Sequence, residues 1–217
     1  MPRDLENRSA TVAIIGAGPL GRWLALATAR AGFRVLLEDV MPANLHHAQE
    51  YIRQELGPQH LLEKLDPEGG GGFNPRIKPT ESARALAPEG CFPVTFVSTI
   101  EDAVREADLA IDCVPDELES KLEILWLLDR MAPPRTVLAT PTTRLSIADL
   151  ANCTYRPAKC VAIAQEASCL AANAGGEILL RTTSRTSAET VALVEHFWRQ
   201  LGFTPRFESD PAEQPAS

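Results

Sequence analysis

The run Thr11-Val-Ala-Ile-Ile-Gly16-Ala-Gly18-Pro-Leu-Gly21 constrains the fold more than any other stretch of this chain: a buried strand enters a glycine turn and leaves it as a helix. Gly16 allows the tight turn, Gly18 lets the backbone approach a pyrophosphate, and Gly21 lets the helix pack on the strand. The helix N-terminus brings unpaired N–H groups and a partial positive charge to the anion. An apolar strand precedes the turn and an alanine-rich helix over residues 20–31 follows it, with Gly32 placed to end that helix. Arg34-Val-Leu-Leu-Glu-Asp39 then reads as a second strand ending in acid, about 20 residues beyond the glycines, which completes a β-α-β unit. Asp39 is placed to accept both ribose hydroxyls and to repel a 2′-phosphate. Residues 40–43 hold no Arg or Lys that would accommodate one, so NAD is expected over NADP.

A chain of 217 residues, 45% hydrophobic, suffices for one good core. The net charge of −8 argues against a nucleic-acid partner. Five cysteines, Cys91, Cys113, Cys153, Cys160 and Cys169, show no C-x-x-C spacing and read as free thiols. With no signal-type segment at the N-terminus and no run long enough to span a bilayer, a cytoplasmic protein with no membrane partner is expected.

Residues 42–65 carry helical spacing through Leu45, Ala48, Ile52, Leu56, Leu61 and Leu62, interrupted by Gly57-Pro58, which predicts a helix in two pieces. Four consecutive glycines within 66–76 predict a mobile loop. Residues 42–92 therefore read as a helical excursion from the α/β core. Further strands are expected at 93–98, 109–114, 136–140, 160–164, 177–181 and 204–207. Between them, capping patterns at Thr99, Ser146 and Thr186 open helices, and a helix with Leu118, Leu122, Leu125 and Trp126 on its apolar side runs to about Met131. The last helix is amphipathic through Val191, Val194, Phe197, Trp198 and Leu201. The whole predicts a Rossmann-like, doubly wound α/β fold with a mostly parallel sheet. One dinucleotide-binding domain covers 1–207 and a disordered tail covers 208–217.

With these pieces in order the chain resembles the N-terminal domain of the 3-hydroxyacyl-CoA dehydrogenase family, which includes lambda-crystallin-type gulonate dehydrogenases and carnitine dehydrogenases. The likeness rests on Gly16-Ala-Gly-Pro-Leu-Gly21, Val35-Leu-Leu-Glu-Asp39-Val-Met-Pro, Ala107-Asp-Leu-Ala-Ile-Asp-Cys-Val-Pro115, Leu128-Asp-Arg-Met-Ala-Pro-Pro134 and Ala139-Thr-Pro-Thr-Thr-Arg-Leu-Ser-Ile147. It implies an NAD-dependent oxidoreductase that moves hydride between NAD and a 3-hydroxyacyl-CoA or small hydroxy acid. Gly16, Gly18, Pro19, Leu20, Gly21, Asp39, Val114 and Pro115 would hold the cofactor. The excursion would take the place of the helical hairpin that helps hold CoA. Lys64, Arg76 and Lys78 are available for its phosphates, although charges on a loop are more often solvated.

The catalytic region departs from the family. Aligned on the family's Gly-(Met/Leu)-His-Phe-Phe-Asn-Pro run, Gln165 takes the place of the acid/base His and Ser168 that of the Asn. Glutamine does not titrate near neutral pH, but it can hydrogen-bond a carbonyl. Thr143 falls at a substrate-contacting hydroxyl, Glu177 at the Glu that orients the His, and Pro141 at an Asn near the nicotinamide. A shift of one residue would bring Glu166 to the site, though strand alternation turns it to the other face. His46, His47, His60 and His196 match no catalytic position, and no metal-ligand spacing is present. The sequence ends where the family's helical domain would begin, so weak or partner-dependent activity is expected, with a homodimer or a separate helical partner covering the exposed surface. The other possibilities are a non-catalytic NAD(H)-binding sensor or subunit, and non-redox acyl chemistry using Glu166 or Glu177.

Overall fold

The computed structural model describes residues 10–56, 61–62, 94–165, 170 and 175–213. Nine strands form one sheet: β1 (Thr11–Ile15), β2 (Arg34–Glu38), β3 (Leu61–Leu62), β4 (Val94–Val97), β5 (Leu109–Asp112), β6 (Val137–Pro141), β7 (Cys160–Ile163), β8 (Glu177–Thr182) and β9 (Thr204–Ser209). The described helices are α1 (Pro19–Arg30), α2 (Pro42–Leu56), α3 (Ile100–Val104), α4 (Leu118–Met131), α5 (Ile147–Asn152) and α6 (Ala188–Gln200). The sheet order is β3-β4-β2-β1-β5-β6-β7-β8-β9, and every pairing is parallel except β7 with β8. The chain starts in the middle and winds outward both ways, so strand order reverses beside β1, where open α/β sheets bind ligands at the carboxyl ends of their strands.

Strand alternation divides the core. Val12, Ile14, Val35, Leu37, Leu109 and Ile111 turn to the face packed with Leu24, Ala25, Ile52, Phe197 and Trp198 of α1, α2 and α6. Ala13, Ile15, Leu36, Ala110, Leu138 and Ala162 turn to the face packed with Ala103, Leu125, Leu128 and Leu150 of α3, α4 and α5. Both faces of the central strands are covered, as their continuous apolar runs require.

Four expectations are corrected. Leu61 and Leu62 do not continue a helix but pair with Val94 and Thr95 as a parallel edge strand. The cap of α6 is Ser187, whose hydroxyl accepts from Thr190 N, while Thr186 turns back to Thr183. Leu118 and Trp126 are exposed on α4, whose buried face is Lys121, Ile124, Leu125, Leu128 and Asp129. Residues 208–213 are ordered where a tail was expected: β9 runs to Ser209, and the buried Asp210 carboxylate accepts from Ser146 Oγ at 3.0 Å and Ala148 N at 2.8 Å, tying the chain to the start of α5. The glycine-rich stretch of 66–76, with Lys64, Arg76, Lys78 and His60, lies outside the described residues, as do Glu166, Ser168, Cys91 and Cys169.

Candidate functional site

The glycine turn is built as its sequence predicts. Gly16 has φ of +100°, a conformation L side chains rarely adopt, and its N–H donates to Glu38 O at 2.8 Å. A Cβ on Gly16 would press at 3.3 Å against the Cys113 backbone. A Cβ on Gly21 would fall 1.8 Å from Gly16 O, so the helix approaches the turn too closely for any side chain there. Gly18 is different: it has an ordinary φ of −64°, and a Cβ there would meet nothing within 4 Å. Pro19 opens α1 and Leu20 packs against the core at its first turn. No side chain caps this helix and no acid lies in its first turn. Open space above Gly18 and an uncapped helix N-terminus together fit a pyrophosphate.

Asp39 is held more tightly than a free ribose acceptor would be. It is 8% exposed. Its Oδ2 accepts from Ala17 N at 2.8 Å and its Oδ1 from Met41 N at 2.8 Å. Asn44 Nδ2 bridges the two oxygens at 3.2 and 3.1 Å. The carboxylate thus clamps the glycine turn to the end of β2, with both of its oxygens already engaged. Asn44 carries no motif signal, and sequence reasoning missed it.

Glu38, 5% exposed, is pushed up to a pKa of about 7 by burial and by the neighbouring Asp39 charge. A folded-state pKa above the ordinary 4.5 gives stability that is complete below pH 4.5 and is lost as pH rises through 7. Between pH 5 and 8 the wild type is expected to lose about 2.5 kcal/mol relative to Glu38→Gln. Urea midpoints of both proteins at the two pH values read this, and parallel pH profiles would refute it.

Beside the glycine turn, at the carboxyl end of the neighbouring strand, the turn after β5 carries Val114, which is half-buried, and Pro115, whose carbonyl accepts from Glu117 N at 2.8 Å. Asp116 follows. Its Oδ2 accepts from Thr143 N at 3.3 Å, while its Oδ1 is buried with no partner among the described residues. Beneath this turn, Lys121 Nζ lies 2.6 Å from Asp112 Oδ1, both side chains being fully buried. Burial pushes the Asp112 carboxyl up, against the opposing pull of Lys121. Burial also pushes the neighbouring Cys113 thiol up, which keeps it neutral.

Of the three candidate catalytic residues, Thr143 and Gln165 follow the carboxyl ends of the paired strands β6 and β7, while Glu177 is set apart from them. Thr143 is exposed on the loop after β6, and its hydroxyl makes no hydrogen bond to a described residue. Gln165 is half-buried just beyond β7, with its Oε1 buried and without a partner among the described residues. In the antiparallel pairing Ala162 faces Arg181 and Ile163 faces Leu180, and Ala164 N donates to Leu179 O at 2.8 Å. Continued by one residue, this register sets Ile178 opposite Gln165. Glu177 therefore does not orient Gln165. Its side chain is 57% exposed and pairs with Arg206 at 3.4 Å, because adjacent residues of a strand face opposite ways. His46, His47 and His196 are exposed. Among the described residues no group of His, Cys, Asp or Glu could hold a metal ion, and no helix is long and apolar enough to cross a membrane.

Comparison with known proteins agrees with this geometry. Residues 11–206 match the family model described as the NAD binding domain of 3-hydroxyacyl-CoA dehydrogenase. The chain is 27% identical over 150 residues to a probable 3-hydroxybutyryl-CoA dehydrogenase of Bacillus subtilis, covering 69% of this chain and 46% of that protein. It is 30% identical over 140 residues to a human lambda-crystallin homolog, covering 64% and 39%. Its fold is shared with the (S)-3-hydroxybutyryl-CoA dehydrogenase of Ralstonia eutropha, with a TM-score of 0.71 and 23% identity over 94% of this chain and 64% of that one. The chain spans less than half the length of these two sequence relatives.

Proposed function

The chain belongs to the 3-hydroxyacyl-CoA dehydrogenase family through its NAD-binding domain, and from that premise we propose that it holds NAD(H) and passes hydride only slowly. One observation carries the second half of this reading: Ile178 lies opposite Gln165, so neither member of that cross-strand pair titrates. When bound, NAD supplies a hydride acceptor at its nicotinamide. The open N-terminus of α1 and Gly18 receive the pyrophosphate, and Asp39 receives the ribose. Asp116 Oδ1, buried without a partner among the described residues, accepts a donor at the nicotinamide end. Thr143 and Gln165 hydrogen-bond the oxygen of a 3-hydroxyacyl-CoA or small hydroxy acid, and solvent handles the proton.

NADH titration by nicotinamide fluorescence, with NADPH in parallel, tests the first half: NADH is expected to bind and to be preferred, and absence of binding to either sinks the reading. For the second half, NADH oxidation with acetoacetyl-CoA is measured at high protein concentration. Gln165→His alone is expected to raise the slow rate little, because Ile178 leaves the new imidazole unoriented. Ile178 is fully buried, so Gln165→His combined with Ile178→Glu is assayed only where its urea midpoint shows it folded, and there it is expected to raise the rate by about 100-fold or more, the usual contribution of a positioned acid/base. Equal rates in the single and double variants would remove the register argument.

The same non-titrating pair favours a second reading, an NAD(H)-binding sensor or subunit, which predicts ordinary NADH affinity with no turnover in either variant. Exposed Leu118, Trp126 and Tyr155 support a second copy or a helical partner. The free thiols of Cys113, Cys153 and Cys160 are consistent with a cytoplasmic setting.

A further inference from the structure

Two guanidinium groups bracket Thr143, and they differ in how far their charge is already neutralised. Arg181 Nη1 donates to Thr143 O at 3.4 Å, but Arg181 Nε lies 2.6 Å from Glu208 Oε1 and the side chain is mostly covered. That cation belongs to the β8–β9 pairing. Arg144 follows Thr143 directly, and its side chain is 75% exposed. Its one hydrogen bond, from Nη2 to Asp116 O at 3.0 Å, goes to a neutral carbonyl, and the Asp116 carboxylate is 4.0 Å from Nε. Nη1 of Arg144 has no partner among the described residues. The adjacent Thr143 hydroxyl is equally open. Arg144 is thus an exposed cation only loosely paired with Asp116, set beside the residue that the proposed function gives to the substrate oxygen.

A guanidinium edge offers two parallel N–H donors that match the fork of a carboxylate, whereas a thioester presents only a neutral carbonyl. Asp116 lies on the Nε side, so an anion approaches Arg144 from the Nη1 side, away from that negative charge. We propose that the ligand at this end of the site is a small free hydroxy or oxo acid, with its carboxylate on Arg144 and its oxygen-bearing carbon at the Thr143 hydroxyl. This names the ligand class for the site of the proposed function and rests on that reading of Thr143.

The test is calorimetric titration of acetoacetate into the whole chain, with and without saturating NADH. The truncated thioester acetoacetyl-N-acetylcysteamine is titrated in parallel, since it lacks the phosphates of CoA. Acetoacetate is expected to bind at least about tenfold more tightly than the thioester, and Arg144→Gln to weaken it by about tenfold or more, with Arg144→Lys between the two, as loss of a charge-assisted hydrogen bond requires. Arg144 is exposed, so an unchanged urea midpoint of Arg144→Gln checks that the variant is folded. Equal affinity for acid and thioester overturns the proposal, as does unchanged acetoacetate affinity in Arg144→Gln or no acetoacetate binding in either arm. Acetoacetate binding through Arg144 in a chain that fails to bind NADH would sink the dinucleotide reading and leave this one standing.

Discussion

Gly21→Ala is expected to lose NADH binding and to destabilise the chain by about 3 kcal/mol, because its Cβ would lie 1.8 Å from Gly16 O and 2.9 Å from Gly16 C. Both neighbours are backbone, and Gly16 is itself pinned by its positive φ and its hydrogen bond to Glu38 O. The helix has to move off the strand, opening the core around Ile14 and Leu24. Gly18→Ala is the informative companion. Its Cβ meets nothing and its φ is ordinary, so its stability is expected to stay within about 0.5 kcal/mol of wild type. NADH affinity is nevertheless expected to fall by about tenfold or more, because the added methyl stands where the pyrophosphate approaches. Urea denaturation and NADH fluorescence on the two variants separate the fold from the site. Wild-type NADH affinity in Gly18→Ala would mean that the open space above the turn is not where the phosphates sit.

Lys121→Met is expected to cost about 3–5 kcal/mol in urea unfolding, the usual consequence of removing one partner of a buried ion pair. Asp112 would then remain buried at the centre of the sheet without the ammonium that balances its charge. The sign of the pH dependence follows. Burial already raises the Asp112 carboxyl, and loss of Lys121 raises it further, so protonation favours the folded variant and the deficit narrows as pH falls. Adding Asp112→Asn to Lys121→Met is expected to recover much of the loss at neutral pH, because the uncompensated charge is gone. A double variant no more stable than Lys121→Met would mean that the loss comes from packing of the lysine stem and not from the stranded carboxylate. The pair also braces the turn that delivers Asp116 to the cleft, so NADH affinity is a useful second readout.

Several elements were legible because their causes are local. The turn at Gly16, the close approach at Gly21 and the caps at Thr99 and Ser146 each depend on a few consecutive residues, and all appear as read. Asp39 was legible as the acid ending β2, but its clamp on Ala17 N and its bridge from Asn44 were not, since they depend on how the β2–α2 turn closes over the glycines. The choice of Ser187 over Thr186 as cap was also out of reach, because both hydroxyls precede the same helix and the turn through Thr183 decides between them.

From the sequence alone came the dinucleotide-binding β-α-β unit, the doubly wound order that continues it, and the absence of a histidine at Gln165. These follow from steric rules acting over one turn or one strand. Only the tertiary structure decided what stands opposite Gln165. The β7–β8 register puts Ile178 there and turns Glu177 outward to Arg206. A shift of one residue exchanges the two faces of a strand, and no local signal fixes that register; the pairing of strands distant in sequence does. The same holds for Arg144, an ordinary loop cation in the sequence, which the fold brings beside Asp116 in a loose ion pair that leaves its side chain exposed.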